Sequence, residues 1–301
     1  MKFDHLQQQE LDILDFTLPG ISTFTKKTLA AAGSTSAPAI YVGCAKWGRK
    51  EWVGELYPPN TKEADFLEHY VKHFNSIELN ATHYKVYGPP IVTGWKEKAG
   101  DKDFKFCPKV PKSISHFSNL ANDKAKEVTA KFIDGILAFK EHLGPVFLQM
   151  GDKFSPDNNE HLFQYLADLP AGMQFFTELR HPEWFANKVI FKNLLQALQK
   201  SKTGLVITDT AGRRDCAHME LTIPKAFVRF EGNNLHPSDF TRIDGWMPHL
   251  SNWLNKGLQE LYFFLHQPDE KYTPELCDYA VEQINKHCGA KLERPLKGSD
   301  E

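Results

Sequence analysis

Phe175-Phe-Thr-Glu-Leu-Arg-His-Pro-Glu-Trp184 begins as a buried strand and ends in charge. Read at period two, Glu178 and Arg180 share one face, and Thr177 and Leu179 share the other. His181-Pro182 stops the strand, because proline removes a donor and restricts the residue before it. An acid and a guanidinium at the end of an apolar run are costly to bury, and stranding one partner of a buried pair costs about 3–5 kcal/mol. Two readings follow: this strand end forms the rim of a pocket, or the pair is structural and only closes the end of a barrel.

Similar short runs recur along the chain. Upstream are Ile40-Tyr-Val-Gly43, Ser76-Ile-Glu-Leu-Asn80, Phe104-Lys-Phe-Cys107 and Pro145-Val-Phe-Leu-Gln149; from residue 174 onward come Gln174-Phe-Phe-Thr-Glu178, Gly204-Leu-Val-Ile-Thr208, Ala226-Phe-Val-Arg-Phe230 and Leu261-Tyr-Phe-Phe-Leu265. Helix-period segments separate most of them, at about 61–73, 91–99, 123–142, 158–167, 189–200, 240–256 and 274–287. The link 210–225 is poorly helical. Eight strands with helical crossovers predict an α/β fold with a parallel sheet, closed as a single (β/α)8 TIM-type barrel that needs about 250 residues. An open doubly wound sheet is the alternative, but Gly43-Cys-Ala-Lys-Trp-Gly48 lacks the dinucleotide-binding glycine spacing.

Residues 1–39 precede this pattern as an N-terminal arm. A short amphipathic helix is expected near Leu6–Phe16, and Ala30-Ala-Ala-Gly-Ser-Thr-Ser-Ala-Pro38 reads as a linker. The barrel domain is expected over 40–290, with a polar C-terminal tail over 291–301.

The 301 residues carry a net charge of −2, which gives no electrostatic case for membrane or general nucleic-acid binding. The five cysteines, Cys44, Cys107, Cys216, Cys277 and Cys288, form no Cys-x-x-Cys pair and suit a reducing compartment. The polar N-terminus has no signal-peptide core, and no run reaches the ~20 apolar residues of a membrane span. A cytoplasmic protein is expected.

In a barrel, chemistry gathers where strands run into their following loops. Those positions hold Trp47, Glu78, Asn80, Tyr84, Lys109, His116, Gln149, Glu178, Arg180, His181, Trp184, Asp209, Arg229, Glu231 and His266. Glu178, Glu78 and Asp209 are the candidate catalytic carboxylates, with Lys109, Arg180 and Arg229 as an anion clamp. Trp47 and Trp184 could stack on a planar or sugar ligand. Three readings of this mixed charge stand open: cations grip an anionic ligand while a carboxylate moves protons, carboxylates and His266 hold a divalent metal, or the charges only neutralise one another. No Gly-x-Ser-x-Gly elbow and no Walker loop is present.

Several ordered segments resemble one family. They are Tyr41-Val-Gly-Cys with Trp47, Glu51-Trp-Val-Gly-Glu-Leu-Tyr-Pro58, Phe74-Asn-Ser-Ile-Glu-Leu-Asn80 with Thr82 and Tyr84, and Lys109-Val-Pro-Lys-Ser-Ile-Ser-His116. Leu143-Gly-Pro-Val-Phe-Leu-Gln149, Glu178-Leu-Arg-His-Pro-Glu-Trp184, Asp209 and Phe227-Val-Arg-Phe-Glu-Gly232 continue the series. The family is the YecE-like proteins, domain of unknown function 72. The resemblance implies a TIM barrel with a polar pocket at the strand C-termini, and it brings no activity. The chain departs from the family pattern at Met150-Gly-Asp-Lys153, where paired prolines are usual. It departs again at Glu231, where a histidine is common, and at His266-Gln267, where paired asparagines are usual.

The leading expectation is a metal-independent hydrolase or isomerase for a small anionic or polyhydroxylated substrate, with no cofactor. Glu178 serves as general acid/base in that reading, and Arg229→Ala costs ligand binding without loss of fold. The first alternative is a non-catalytic binding protein for a phosphorylated ligand or a nucleic-acid segment. The second is a divalent-metal-dependent hydrolase or isomerase.

Overall fold

The computed structural model describes residues 6–33, 37–117, 120 and 122–296. The arm supplies α1 (Gln8–Ile13) and α2 (Thr23–Ala31), and the first half of the main body runs β1 (Ala39–Cys44), α3 (Phe66–His73), β2 (Ser76–Leu79), α4 (Ala81–Tyr84), α5 (Pro89–Ala99), β3 (Lys105–Pro108), α6 (Lys112–Ser115), α7 (Asp123–Ile136) and β4 (Val146–Gln149). The second half runs α8 (Asn159–Ala167), β5 (Phe175–Glu178), α9 (Glu183–Ala186), α10 (Lys188–Lys200), β6 (Gly204–Leu205), β7 (Ile207–Asp209), β8 (Lys225–Glu231), α11 (Pro237–Asn255), β9 (Glu260–His266) and α12 (Thr273–Cys288).

The fold is α/β, and all the strand ladders are parallel. They do not form the continuous eight-stranded ring expected from the sequence. One sheet has six strands in the order β3-β2-β1-β9-β8-β7, and a second has three in the order β4-β5-β6. Single bridges, Phe106–Leu143 and Lys109–Phe147, link the two sheets between β3 and β4. The run 204–208 is split at Val206, whose amide donates to Thr177 at 2.9 Å in β5, while Ile207 pairs with Val228 in β8.

Strand parity sorts the side chains into two cores. Tyr41, Cys107, Phe147, Phe176, Val206, Phe227, Tyr262 and Phe264 form one buried cluster on the inner face. Their neighbours in sequence, among them Val42, Phe106, Leu148, Phe175, Ile207, Val228 and Phe263, pack outward against the helices. Gly43 is required at its position, because a Cβ there would lie 2.0 Å from the Ser76 carbonyl oxygen on the paired strand.

All seven predicted crossover segments contain helix, α2, α4, α6 and α9 are additional, and three of the segments show the following changes in outline. The 61–73 segment opens with a 3-10 turn, Glu63–Asp65, before α3 begins. The 123–142 segment breaks after α7 into a 3-10 stretch, Leu137–His142, where Lys140 has φ +51°. The 240–256 segment starts earlier, at Pro237, where proline suits the first helical turn.

Residues 210–225 contain only a short 3-10 turn, Arg214–Cys216, among their described helical structure. The arm occupies the space a crossover helix would fill there. Thr25 Oγ1 accepts from the Leu221 amide at 3.0 Å and donates to Glu220 at 2.6 Å. Gln199 at the end of α10 donates to Thr28 at 3.1 Å, and the Leu29 carbonyl packs against Gly257 after α11. The linker expected over 30–38 is therefore shorter than foreseen, since Ala30 and Ala31 close α2; residues 34–36 lie outside the described residues. The start of the expected polar tail packs back on α12, with Arg294 paired to Asp278 and Glu282, and residues 297–301 also lie outside the described set. Among the described residues no helix is long and apolar enough to cross a membrane.

Leu29 is fully buried within the main core cluster. Leu29→Ala is expected to cost about 2–5 kcal/mol in urea unfolding, as an internal core residue does. A cost near zero would mean that α2 is a dispensable attachment.

Candidate functional site

Parallel strands bring their C-terminal ends to one side of a sheet, and inward parity then selects which of those residues meet. Glu78 on β2, Gln149 ending β4, Glu178 ending β5, Arg229 and Glu231 on β8, and His266 ending β9 all continue the parity of the inner core. Arg180 and Lys109, just past β5 and β3, follow the same parity.

Arg229 is the common partner. Its Nε donates to Glu78 Oε2 at 2.8 Å and its Nη2 to Glu78 Oε1 at 3.2 Å. Its Nη1 reaches both oxygens of Glu178 at 3.2 Å and Glu231 at 3.1 Å. Arg180 Nε donates to Glu178 Oε1 at 2.9 Å, and Gln149 donates to the other oxygen at 2.7 Å. Asn80 donates to Glu78 at 2.8 Å. The His266 Nε2 contact with Glu78 is 3.0 Å, and since an ionised carboxylate only accepts, that nitrogen carries the proton.

Glu78, Glu178 and Arg229 are almost wholly buried, whereas Glu231 keeps 22% of its side chain exposed and His266 keeps 13%. The mouth of the cluster is therefore on the Glu231–His266 side. Burial opposes ionisation of Glu178, but Arg180, Arg229 and Lys109 outweigh it and hold the carboxyl at about 2. Glu78 is likewise held well below the usual range, with Arg229 and His266 overcoming its burial. A general acid needs the opposite environment, so Glu178 is a fixed carboxylate here.

Lys109 lies in the same cluster and is 7% exposed. Among the described residues its ammonium has neither a carboxylate at ion-pair distance nor a hydrogen-bond acceptor, and it lies 5.5 Å from the centre of the Phe147 ring. Burial first, then Arg229 and Arg180, push it down to about 8 against the pull of Glu78 and Glu178.

Asp209 is not in this cluster. Val206 belongs to the inner core and Ile207 to the outer one, so Asp209 shares the outward parity of Ile207. It is buried against α11, where Arg242 donates at 2.8 Å and Trp246 at 2.7 Å, with Arg214 as a further partner. Phe16 from the arm covers this second cluster, its ring 5.1 Å from both the Arg214 and the Arg242 guanidinium. The strand-end reading named neither arginine, because both lie outside strands; the parity of 206–209 was the signal that separates Asp209 from Glu178.

Both aromatic expectations change. Trp184 is buried, donates its indole N–H to the Phe154 carbonyl at 2.8 Å, and cannot reach a ligand at the mouth. Trp47 packs edge-on against Trp95 at 5.6 Å. Tyr84 is 72% exposed, beside Lys112. His116 packs edge-on against His83, and half-buried His181 accepts from the Glu183 amide. As for metal binding, Arg229 is the cation that Glu78, Glu178 and Glu231 share, and among the described residues no three His, Cys, Asp or Glu side chains are arranged to hold an ion.

This geometry replaces the expectation that Arg229→Ala leaves the fold intact. Removing Arg229 takes the guanidinium from Glu78 and one of two from Glu178, and a loss of about 3–5 kcal/mol in denaturant unfolding is expected. A cost under about 1 kcal/mol would show that the carboxylates find other partners.

Glu178 also sets an acid dependence. Its folded value, about 2, lies below its ordinary 4.5, so its stabilising contribution is complete above pH 4.5 and disappears as pH falls toward 2. Unfolding midpoints measured across that window should fall more steeply for the native chain than for Glu178→Gln. Parallel curves would place the acid sensitivity elsewhere.

The profile of the family described as "Protein of unknown function DUF72" matches residues 41–298. The UPF0759 protein YecE of Escherichia coli K12 is 29% identical over 265 residues, covering 82% of this chain and 93% of that protein. Among solved structures, a DUF72 family protein from Enterococcus faecalis V583 superposes with a TM-score of 0.66 at 17% identity, covering 84% of this chain and 96% of the other. A DUF72 family protein from Thermotoga maritima MSB8 gives a TM-score of 0.62 at 22% identity, covering 82% and 98%. These likenesses agree with the α/β fold, and the family match covers every residue of the charged cluster: the chain belongs to the DUF72 family.

Proposed function

We propose that the strand C-terminal face is the working face of a metal-independent enzyme, an isomerase or hydrolase, acting on a small polyhydroxylated substrate. In this reading the two sheets are arcs of one (β/α)8 barrel, joined at the β3–β4 bridges and through Val206. The five unpaired cysteines support a cytoplasmic setting.

The observation that carries the reading is Lys109. Around it every other charge is engaged: Arg229 with Glu78, Glu178 and Glu231, and Arg180 with Glu178. A largely buried lysine without an ion-pair partner among the described residues is costly to hold, and such a perturbed cation in a charged cluster supports a functional role. The engaged arginines leave little for an anionic clamp, which favours the polyhydroxylated substrate over the anionic one. Glu231, His266 and Asn80 at the mouth can exchange hydrogen bonds with hydroxyl groups. Glu78 and Glu178 hold the frame, and proton transfer falls to Lys109 rather than to Glu178.

The binding-protein alternative, for a phosphorylated ligand or nucleic acid, needs several cations to meet phosphates; both arginines are carboxylate-bound, and Lys109 alone is left for that role. Lys109→Met separates the readings. Removal of an unpaired buried charge is expected to hold or raise the thermal midpoint, while turnover on a panel of aldoses, ketoses and their phosphates falls by about 10²-fold or more. Solvent deuterium incorporation followed by NMR reads isomerisation, and product release reads hydrolysis. The enzyme reading fails if the native chain binds panel members yet turns over none.

A further inference from the structure

We infer that Lys109 is a nucleophile that forms an imine with the open-chain carbonyl of an aldehyde or ketone substrate. This rests on the functional reading above and names its substrate class: a small polyhydroxylated carbonyl compound.

The position suits that chemistry. Lys109 follows β3 directly, and its side chain stands over the Phe147 ring at the top of the apolar inner core. Its backbone is fixed by both neighbours: its amide donates to the Leu79 carbonyl at 3.2 Å, and its carbonyl accepts from Thr82 Oγ1 at 2.8 Å. The amine is thus held from a rigid strand end rather than from a loop. Among the described residues its ammonium has no carboxylate at ion-pair distance and no hydrogen-bonded partner to break before reaction.

The groups facing it are Glu78 on β2, Glu178 and Arg180 on and after β5, Arg229 on β8, His83 on α4 and His116 after α6. His83 and His116 are both pushed down by their burial and by Lys109, so neither adds a competing positive charge at neutral pH. A lysine brought down to about 8 carries on the order of a hundredfold more neutral amine at pH 7.5 than an ordinary one.

The step balances without an oxidant or reductant. The ammonium first gives one proton to solvent, and the free amine attacks the carbonyl carbon. The C–N bond forms and the carbonyl π pair moves to oxygen. The carbinolamine nitrogen loses a proton, its hydroxyl takes up two proton equivalents in all and leaves as water, and a protonated imine remains. Overall, ammonium plus carbonyl gives iminium plus water. The iminium draws electrons from the adjacent carbon, which makes its C–H acidic and links imine formation to isomerisation.

The test is borohydride trapping on the full chain, with dihydroxyacetone and D-glyceraldehyde as probes and peptide mapping by mass spectrometry. Lys109 is expected to be labelled at least about tenfold faster than exposed Lys124, with a rate that rises as pH is taken through 8. Lys109→Arg should lose the adduct while keeping its thermal midpoint. Labelling confined to exposed lysines overturns the imine; if turnover on the sugar panel still falls in Lys109→Met, the enzyme reading survives and Lys109 acts by proton transfer alone. Labelled Lys109 in a chain that turns over no panel member would instead support the nucleophile and sink the assigned reaction class.

Discussion

Three carboxylates share one guanidinium at the centre of this protein. Glu78, Glu178 and Glu231 come from strands far apart in sequence, and Arg229 holds all of them. A buried carboxylate is tolerated only when a cation and donors compensate its lost hydration. Arg229, Arg180, Gln149, Asn80 and His266 together provide that compensation for Glu78 and Glu178. The frame therefore ties β2, β5, β8 and β9 at their C-terminal ends, and the positions of the strands and of the charges depend on one another.

The frame also sets Glu178 and Lys109 apart electrostatically. A carboxyl held near 2 by two guanidiniums stays ionised at every physiological pH and cannot donate a proton. Lys109 is in the reverse position: buried among charges already matched to others, with a value shifted toward neutrality. Two groups of one cluster are displaced from their ordinary values by different causes, ion pairing for Glu178 and desolvation for Lys109. In the proposed reading, that contrast separates a holding group from a reacting one.

The arm shows how a missing element is replaced. No α-helix links β7 to β8, and the arm packs instead on the connection between them. Thr25 in α2 and Ser22 at its start satisfy Glu220 and the Leu221 amide. The same arm places Phe16 over Arg214 and Arg242, so the second buried carboxylate, Asp209, is shielded by residues nearly 200 positions earlier.

Apolar period-two runs and helix-period segments determined the α/β class, the strand runs and the seven longer helices of the main body, because these are local consequences of side-chain spacing; α2, α4, α6 and α9 were not legible. Parity within Phe175–Trp184 also placed Glu178 and Arg180 on one face. The same parity, applied to 206–209, would have removed Asp209 from the cluster; it was legible but overridden by position at a strand end. What the tertiary structure decided was pairing: that Arg229 is shared rather than free, that Trp184 turns inward to Phe154, that α2 fills a slot between α10 and α11, and that Lys109 has no ion-pair partner among the described residues. Those outcomes depend on which side chains from distant strands reach the same few ångströms, and the desolvation of each charge there depends on all the others.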